Sequence, residues 1–254
     1  MKRFRPEVTG EKIKKRDCYE HEIDAFGFMR PWPIYDFEAF GLHDALLRNL
    51  RRLRYQPPTE ILPQAVSAVL SGRDLLACSW FDSVMVAAFM VPIVQNILTQ
   101  ETLPDDQLLA IVFVPNRSLA EDVRRMAMEF VKDTPVTVSV LHGATVYTRI
   151  TSLTRGMPTI AIVTPCSLTQ FLRRRLVCLC KVLYVVMIHT DKPHRLAGRV
   201  AKILADKRTP PIRQKLVFLT HHVTERPLAA ELMLNRPIYV STCRCLGIQT
   251  GRGE

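Results

Sequence analysis

The chain has 254 residues, enough for one large domain or two small ones with a substantial core. Its 35 basic and 24 acidic side chains give a formal net charge of +11. This excess favours polyanionic partners, nucleic acid before an acidic membrane surface, although a basic surface can also serve solubility alone. The longest apolar run, Val84 to Val94, is too short to cross a bilayer, so we expect no membrane partner.

The seven cysteines are scattered, odd in number and not preceded by an apolar leader. This pattern favours a reduced intracellular compartment, the cytoplasm first, with the nucleus or ribonucleoprotein granules as alternatives. Two C-x-C pairs, at 178–180 and 243–245, could supply zinc ligands together with the histidines at 221–222. Structural zinc sites use a C-x₂₋₄-C spacing, and alternate residues of a strand point to opposite faces, so free thiols explain the pairs better.

In chain order, residues 1–34 are charged and irregular in pattern, so we expect a basic, flexible N-terminal extension. Apolar side chains then recur at helical spacing from Leu42 to Leu53, and the proline pair at 57–58 ends that helix. Thr59 is a candidate cap for a second helix that runs to about Leu70.

Short apolar runs then alternate with helical stretches. The predicted strands are 74–78, 108–114, 136–141, 159–163, 182–188, 215–219 and 237–241. The predicted helices are 83–98, 117–131, 146–154, 166–173, 194–206 and 225–234. Several strands are apolar on both faces, which is typical of parallel strands covered by helices. We expect residues 35–242 to form one α/β domain, a doubly wound parallel sheet in three α/β/α layers, before a tail over 243–254. Ligands of such sheets lie at the carboxyl ends of the strands.

The segment GRDLLACSWFDSVMVAAF, Gly72 to Phe89, has the layout of a phosphate-binding unit, in which a strand leads through a loop into a helix. Such a loop needs glycines that let phosphate approach backbone N–H groups, a lysine, and a hydroxyl that binds Mg²⁺. The loop SWFDSVMV has no glycine, no lysine and no hydroxyl at those places. The sequence therefore has the strand–loop–helix layout of a phosphate site without the residues that bind phosphate.

Taken in order, the segments resemble the first RecA-like domain of the DEAD-box RNA helicases, with a Vasa-like flavour, over residues 37–240. RYQPPTEI is similar to the family's adenine-reading entry segment, PNRSLA to its PTREL segment and TPCS to its TPGR segment. HG stands where the family has a pair of glycines, and RG stands where the family also has RG. YVVMIHTD stands where a strand of the family ends in DEAD, and RQKLVFLTH where another ends in SAT. This order implies a RecA-like fold of the P-loop NTPase type. The family's second RecA-like domain has no counterpart here, so we do not expect the chain to complete a helicase cycle alone.

The resemblance puts the family's ATP contacts on residues that cannot make them. Met85 stands at the lysine position and Val86 at the position of the magnesium-binding hydroxyl, while Ser83 remains. Asp82, at a glycine position, would repel phosphate. The aromatic pair at 80–81 could fill the space of ATP or form a patch for a partner.

The remaining ATP positions are degenerate in the same way. Phe37 and Thr59 lie in the entry segment, but Leu62 replaces the adenine-reading glutamine. The DEAD tetrad reads IHTD, so only His189 and Asp191 remain as degenerate catalytic positions, and SAT reads LTH. A histidine can act as a general base, but only with ATP and metal bound. We therefore expect no catalytic residue and no cofactor, with ATP and Mg²⁺ bound only if the degenerate site still works. Histidines 189, 194 and 221 could meet at the strand ends, although cleft-lining histidines explain them better than a metal triad.

The positions that contact the RNA backbone in the family are better kept. They are Pro115, Arg117, Gly143, Arg155, Gly156, Thr164 and Pro165. The two arginines supply charge and the threonine hydroxyl can donate to phosphate. The arginine of TPGR is missing, and the arginines at 173–175 could compensate. Turn geometry alone also explains the prolines and glycines.

Our first hypothesis is a catalytically inactive DEAD-box-like domain that binds single-stranded RNA weakly through its backbone, or acts as a scaffold for protein partners in a ribonucleoprotein. The Vasa-like resemblance suggests a germline small-RNA assembly. Three alternatives stay open: a protein-binding decoy without RNA binding, an active ATP-dependent RNA helicase, and a duplicate with little function.

Overall fold

The computed structural model describes residues 23–55, 61–100, 107–141, 157–189, 193–205, 214–220 and 229–242. The strands among them are β1 (Ile23–Phe26), β2 (Leu75–Cys78), β3 (Ala110–Phe113), β4 (Val138–Leu141), β5 (Ile160–Val163), β6 (Tyr184–His189), β7 (Gln214–Leu219) and β8 (Ile238–Thr242). They form one sheet in the order β1-β8-β2-β7-β6-β3-β5-β4. From β8 to β4 every neighbouring pair is parallel, which confirms the predicted parallel sheet for those seven strands.

Helices cover both faces of the sheet. They are α1 (Asp44–Arg52), α2 (Leu62–Leu70), α3 (Ser83–Leu98), α4 (Arg117–Phe130), α5 (Pro165–Arg173) and α6 (Pro193–Leu204). One hydrophobic cluster packs the four helices α1, α2, α3 and α4 against one face of the sheet. A second cluster packs α5 and α6 against the other face. Burial on both faces explains why β2, β3 and β5 are apolar at every residue. Within the described residues, no helix has the length and apolar character needed to span a bilayer.

Strand β1 has no counterpart among the predicted strands. It pairs antiparallel with β8, with Ile23 opposite Thr242. The chain then follows α2, where Ile34 donates its N–H to the carbonyl of Pro63 at 3.1 Å. Within the expected N-terminal extension, residues 23–26 therefore pair with the free edge of β8, and Ile34 bonds to α2. The predicted domain boundaries stay predictions, and residues 1–22 and 243–254 lie outside the described residues.

Helix α2 begins without the predicted threonine cap. Its first residue is Leu62, and the preceding Ile61 makes no side-chain bond to the helix N-terminus. Pro63 lies in the first turn, where a missing N–H costs little. Thr59 lies outside the described residues, as do the helix predicted at 146–154 and the first part of that predicted at 225–234.

One buried carboxylate holds three strands together at the amino-terminal end of β2. Asp74, just before β2, accepts the backbone N–H of Lys215 at 2.9 Å and that of Asn235 at 2.7 Å. Its own carbonyl accepts the N–H of Ile238 at 2.8 Å. Asp74 thereby fixes β7 and β8 on either side of β2. Burial raises the pKa of Asp74 above its ordinary value, and the two backbone N–H groups and the nearby Lys215 lower it by less.

We expect Asp74→Ala to lower the free energy of unfolding by about 2–4 kcal/mol, because two N–H groups lose a charged acceptor in a buried site. Urea denaturation followed by circular dichroism measures this loss. Asp74→Asn, which keeps the shape and one acceptor oxygen, should cost less. Equal losses in the two variants would contradict the role assigned to the carboxylate.

A second prediction concerns pH. Because the folded-state pKa of Asp74 lies above the unfolded value, its contribution to stability is full below the unfolded pKa and is lost as the pH rises through the folded pKa. The stability of the native sequence relative to Asp74→Asn should therefore fall as the pH rises from about 4. Urea midpoints of both proteins across that range test it, and a rising difference would contradict the sign.

Candidate functional site

The positions that resemble ATP motifs converge at one edge of the sheet. Cys78 of β2 pairs with Leu219 of β7, and His189 of β6 pairs with the same Leu219. The loop after β2 and the counterparts of the DEAD and SAT segments therefore start side by side at the carboxyl edge. This is the edge where ligands of parallel sheets bind.

The loop after β2 is anchored and partly filled by its own side chains. Ser79 is buried and donates its N–H to the carbonyl of Leu219 at 3.0 Å. Phe81 is half-buried against the core, whereas Trp80 is 57% exposed. The two aromatic residues therefore separate: Phe81 fills space inside the domain and Trp80 lies towards solvent.

Asp82 caps helix α3. Its carboxylate oxygen Oδ1 accepts the backbone N–H of Met85 at 2.9 Å, and its backbone is extended, as an N-cap requires. In a working phosphate loop, N–H groups at this helix end bind phosphate oxygens. Here a carboxylate of the chain itself binds one of them. The sequence signals the charge of Asp82, but its capping role follows only from where α3 begins.

The two residues at the lysine and hydroxyl positions belong to the core. Met85 and Val86 are both 0% exposed and lie in the cluster that contains Phe89 of the same helix. A thioether and an isopropyl group offer neither a cation for phosphate nor an oxygen for Mg²⁺. Ser83, the remaining hydroxyl of the loop, is exposed at the first residue of α3.

Tyr55 also lies at this loop, a placement that the sequence does not reveal. Its hydroxyl is buried and, among the described residues, lacks a hydrogen-bond partner of normal geometry. Burial raises the pKa of Tyr55, the nearby Ser83 hydroxyl lowers it, and the negative charge of Asp82 raises it further. The ring packs against Phe130 at a centroid distance of 5.8 Å. Tyr55 therefore covers the start of α3 from the side of α4.

The adenine-reading and acidic positions are occupied by packed apolar groups. Phe37 is 6% exposed, so little of its ring is available to a base. Leu62 and Ile188, at the glutamine and first acid positions, are fully enclosed in the same core cluster. For His189 the structure describes the backbone in β6, whereas Thr59 and Asp191 lie outside the described residues. The proposed histidine cluster is therefore untested.

Four of the RNA-type positions meet next to this site, at the ends of β3 and β5. These strands are neighbours, and Val114 donates its N–H to the carbonyl of Val163 at 3.0 Å. Pro115 and Arg117 follow β3, and Thr164 and Pro165 follow β5. Arg117 is exposed at the first residue of α4. One exposed cation and two helix N-termini therefore face the same edge, an arrangement suited to a phosphate backbone.

Both of these helix N-termini are capped from within. Asn116 Oδ1 accepts the N–H of Leu119 at 2.9 Å. Thr164 Oγ1 accepts the N–H of Ser167 at 3.3 Å and lies 2.9 Å from the Ser167 hydroxyl. The Thr164 hydroxyl is thus part of a cap, and a phosphate would have to share it. Gly143, Arg155 and Gly156 lie outside the described residues.

The arginines at 173–175 cannot replace the missing arginine of the TPGR segment. They lie at the C-terminal end of α5, whereas Thr164 caps its N-terminus. Nine helical residues separate the two ends by about 13 Å. The expected compensation is therefore wrong, because the helix carries the arginines away from the sheet edge.

The described thiols give no metal site. No group of three or more His, Cys, Asp or Glu side chains among the described residues could hold a metal ion. Cys178 and Cys180 lie in the segment before β6 rather than on a strand, and the Cys180 N–H donates to the Cys178 sulfur at 3.3 Å. The argument from strand alternation is therefore wrong for this pair. Hydrogen bonds from Cys180 lower the pKa of Cys178.

We expect Asp82→Ala to lower the free energy of unfolding by about 1 kcal/mol, because α3 loses its N-cap. Asp82→Asn should retain most of this stability, since an amide oxygen also accepts the Met85 N–H. Urea denaturation of the three proteins measures both effects. If Asp82→Ala were as stable as Asp82→Asn, the cap would not stabilise the loop.

Comparisons with known proteins agree with this geometry. The family model described as DEAD/DEAH box helicase matches residues 59–220. The chain is 29% identical to DEAD-box ATP-dependent RNA helicase 52A of Oryza sativa subsp. japonica, over 94% of this chain and 42% of that protein. It is 28% identical to probable ATP-dependent RNA helicase DDX46 of Homo sapiens, over 93% of this chain and 22% of that protein. The chain spans less than half the length of these relatives.

Solved structures share the fold. The RNA helicase Prp28 from Chaetomium thermophilum, bound to ADP, superposes with a TM-score of 0.73 at 27% identity, over 87% of this chain and 54% of that chain. The yeast DEAD-box splicing factor Prp28 superposes with a TM-score of 0.75 over 90% of this chain and 55% of that chain; at 22% identity this likeness concerns the fold alone. Since the family model covers more than half of the chain, and the RecA-like sheet carries the motif positions in the family's order, this chain belongs to the DEAD/DEAH box helicase family.

Proposed function

We propose that this chain is a catalytically inactive DEAD-box-like domain that binds single-stranded RNA weakly through the RNA backbone. The observation that carries the proposal is the N-terminus of α3. There the Asp82 carboxylate accepts the Met85 N–H, and Met85 and Val86 are fully buried. An incoming triphosphate would meet the negative charge of Asp82 at the helix end, and Met85 would offer it no cation.

The other ATP positions support the same conclusion independently. Phosphoryl transfer depends on metal ions that neutralise developing charge and on a residue that positions the nucleophile. Ile188 is buried in β6 where the family's first acid would stand. Leu62, in α2, cannot form the hydrogen bonds with which a glutamine reads adenine. An active helicase would have to overcome all of these losses at once.

RNA binding is supported by the part of the carboxyl edge at the ends of β3 and β5. Arg117 is exposed there, and the helices α4 and α5 begin side by side. Contacts of this kind go to phosphate, so we expect weak affinity, little sequence preference and a strong salt dependence. The basic excess of 35 over 24 side chains favours the same partner.

The setting of this module is a further part of the proposal. A ribonucleoprotein assembly with protein partners, in the cytoplasm or the nucleus, suits a domain that binds RNA without turnover. The germline small-RNA variant of this setting is supported by the Vasa-like motif resemblance alone. A protein-binding decoy without RNA binding is the second candidate. It is favoured by a groove between α5 and α6 that four cationic side chains line, Arg173, Arg175, Arg199 and Lys202.

A paired titration tests the proposal. Labelled single-stranded RNA and a fluorescent ATP analogue with Mg²⁺ are titrated separately with the purified chain. We expect no nucleotide signal up to about millimolar ligand, and an RNA anisotropy signal that fades as salt rises. Saturable, magnesium-dependent nucleotide binding would overturn the inactive site, and absence of RNA binding at low salt would favour the decoy.

Arg117→Glu is the matched variant for the RNA arm. Its RNA affinity should fall, and the slope of log affinity against log salt should become shallower by about 0.7 for each phosphate that the variant no longer neutralises. Arg48→Glu makes the same charge change at an exposed position of α1 and should leave the slope unchanged. Equal effects of the two variants would mean that RNA binds to the overall charge rather than to the sheet edge.

A further inference from the structure

A broad groove lies on the opposite face of the sheet from α3, between α5, α6 and the segment that follows α5. Its volume is about 1020 Å³. Four cationic side chains line it: Arg173, Arg175, Arg199 and Lys202. No carboxylate of the described residues lines the groove, and none forms an ion pair with these four cations. The groove therefore presents one sign of charge.

The cations come from both walls. Arg173 and Arg175 lie at the end of α5, and Arg199 and Lys202 project from α6. Arg199 reaches across to the other wall, where its guanidinium donates to the sulfur of Cys166 at 3.3 Å. Among the described residues, no carboxylate forms an ion pair with Arg199. Cations on two walls surround an anionic ligand better than a single row would.

Among the residues that the structure describes, the floor of the groove is apolar and contains no aromatic ring. Val177, Leu179 and Ile203 lie in the floor, all largely buried, and Leu172 is half-buried beside them. Single-stranded nucleic acids are bound by aromatic side chains on which bases stack, combined with positive charge. Here the charge is present and the stacking surface is absent. Aliphatic floor and cationic rim together fit a polypeptide with both leucine-like and acidic side chains.

We propose that this groove binds an acidic, amphipathic segment of a partner protein, which places apolar side chains on the floor and carboxylates against the rim. A second copy of this chain is a poor occupant, since each copy carries a net charge of +11. The undescribed ends of the chain, 1–22 and 243–254, also contain more basic than acidic residues. This proposal does not rest on RNA binding at the sheet edge.

A designed probe peptide tests the proposal on the full chain. The probe is a labelled 18-residue helix with leucines along one face and glutamates flanking them, and fluorescence anisotropy reports binding. Two control peptides replace either all glutamates by glutamine or all leucines by serine, and both should bind at least about tenfold more weakly. If the serine peptide bound equally well, simple charge attraction would replace the proposed site.

Matched variants locate the binding. Arg199→Glu/Lys202→Glu should weaken the probe at least about tenfold. Arg48→Glu/Lys132→Glu makes the same change of charge at exposed positions outside the groove and should have little effect. Gln170→Trp adds bulk to the exposed lining of the groove without changing charge, and it should also weaken binding. Equal losses in both charge-reversal variants would overturn the proposal.

The thiols provide a second readout that does not require a variant. Cys166 and Cys178 line the groove, whereas the exposed Cys180 does not. Site-resolved alkylation should slow at the first two residues when the probe is bound and stay unchanged at Cys180. Protection of Cys178 by single-stranded RNA, and not by the peptide, would assign the groove to nucleic acid and overturn the peptide proposal. Cys166 directly follows Pro165 of the proposed RNA edge, and RNA bound at that edge would shield it as well, so the RNA arm relies on Cys178.

Discussion

The enclosure of helix α3 is the constraint on which the rest of the domain depends. The helix packs between α2 and α4, its Phe89 contacts Phe218 of β7, and twelve of its sixteen residues are buried. A helix that is apolar all round is stable only when it is covered on every side. The strand–loop–helix frame is therefore retained because it forms the centre of the core, whether or not it binds a phosphate.

This constraint explains how the strand–loop–helix arrangement is stable without a bound phosphate. Fully burying an aliphatic side chain stabilises a fold by about 1.5–3 kcal/mol, and both Met85 and Val86 are fully buried. Asp82 then satisfies an N–H that a phosphate would otherwise bind. These side chains stabilise the domain without a bound ligand.

The strands and the sheet edge could be predicted from sequence because their signals are local. Short apolar runs, several of them apolar on both faces, predict seven strands, and Pro115 and Thr164 follow β3 and β5 as the motif order predicts. Strand β1 escaped prediction because four residues containing Asp24 have no distinctive period and are fixed by β8, which is far away in sequence. Tyr55 escaped for a similar reason, since its position over Ser83 depends on how α1 packs against α4.

The groove between α5 and α6 raises the question of what its charges are for. Arg173 and Lys202 lie in the last turns of their helices, where a cation stabilises the helix dipole by about 0.3–1 kcal/mol. Helix stability alone therefore accounts for those two residues. Arg199 lies in the interior of α6, where the dipole gives it no such benefit, and its guanidinium meets a thiol instead of a carboxylate. Arg199 is exposed, and no carboxylate of the described residues pairs with it, so an anion that arrives from outside would meet an available cation. Arg199 is therefore the residue whose chemistry points to a ligand.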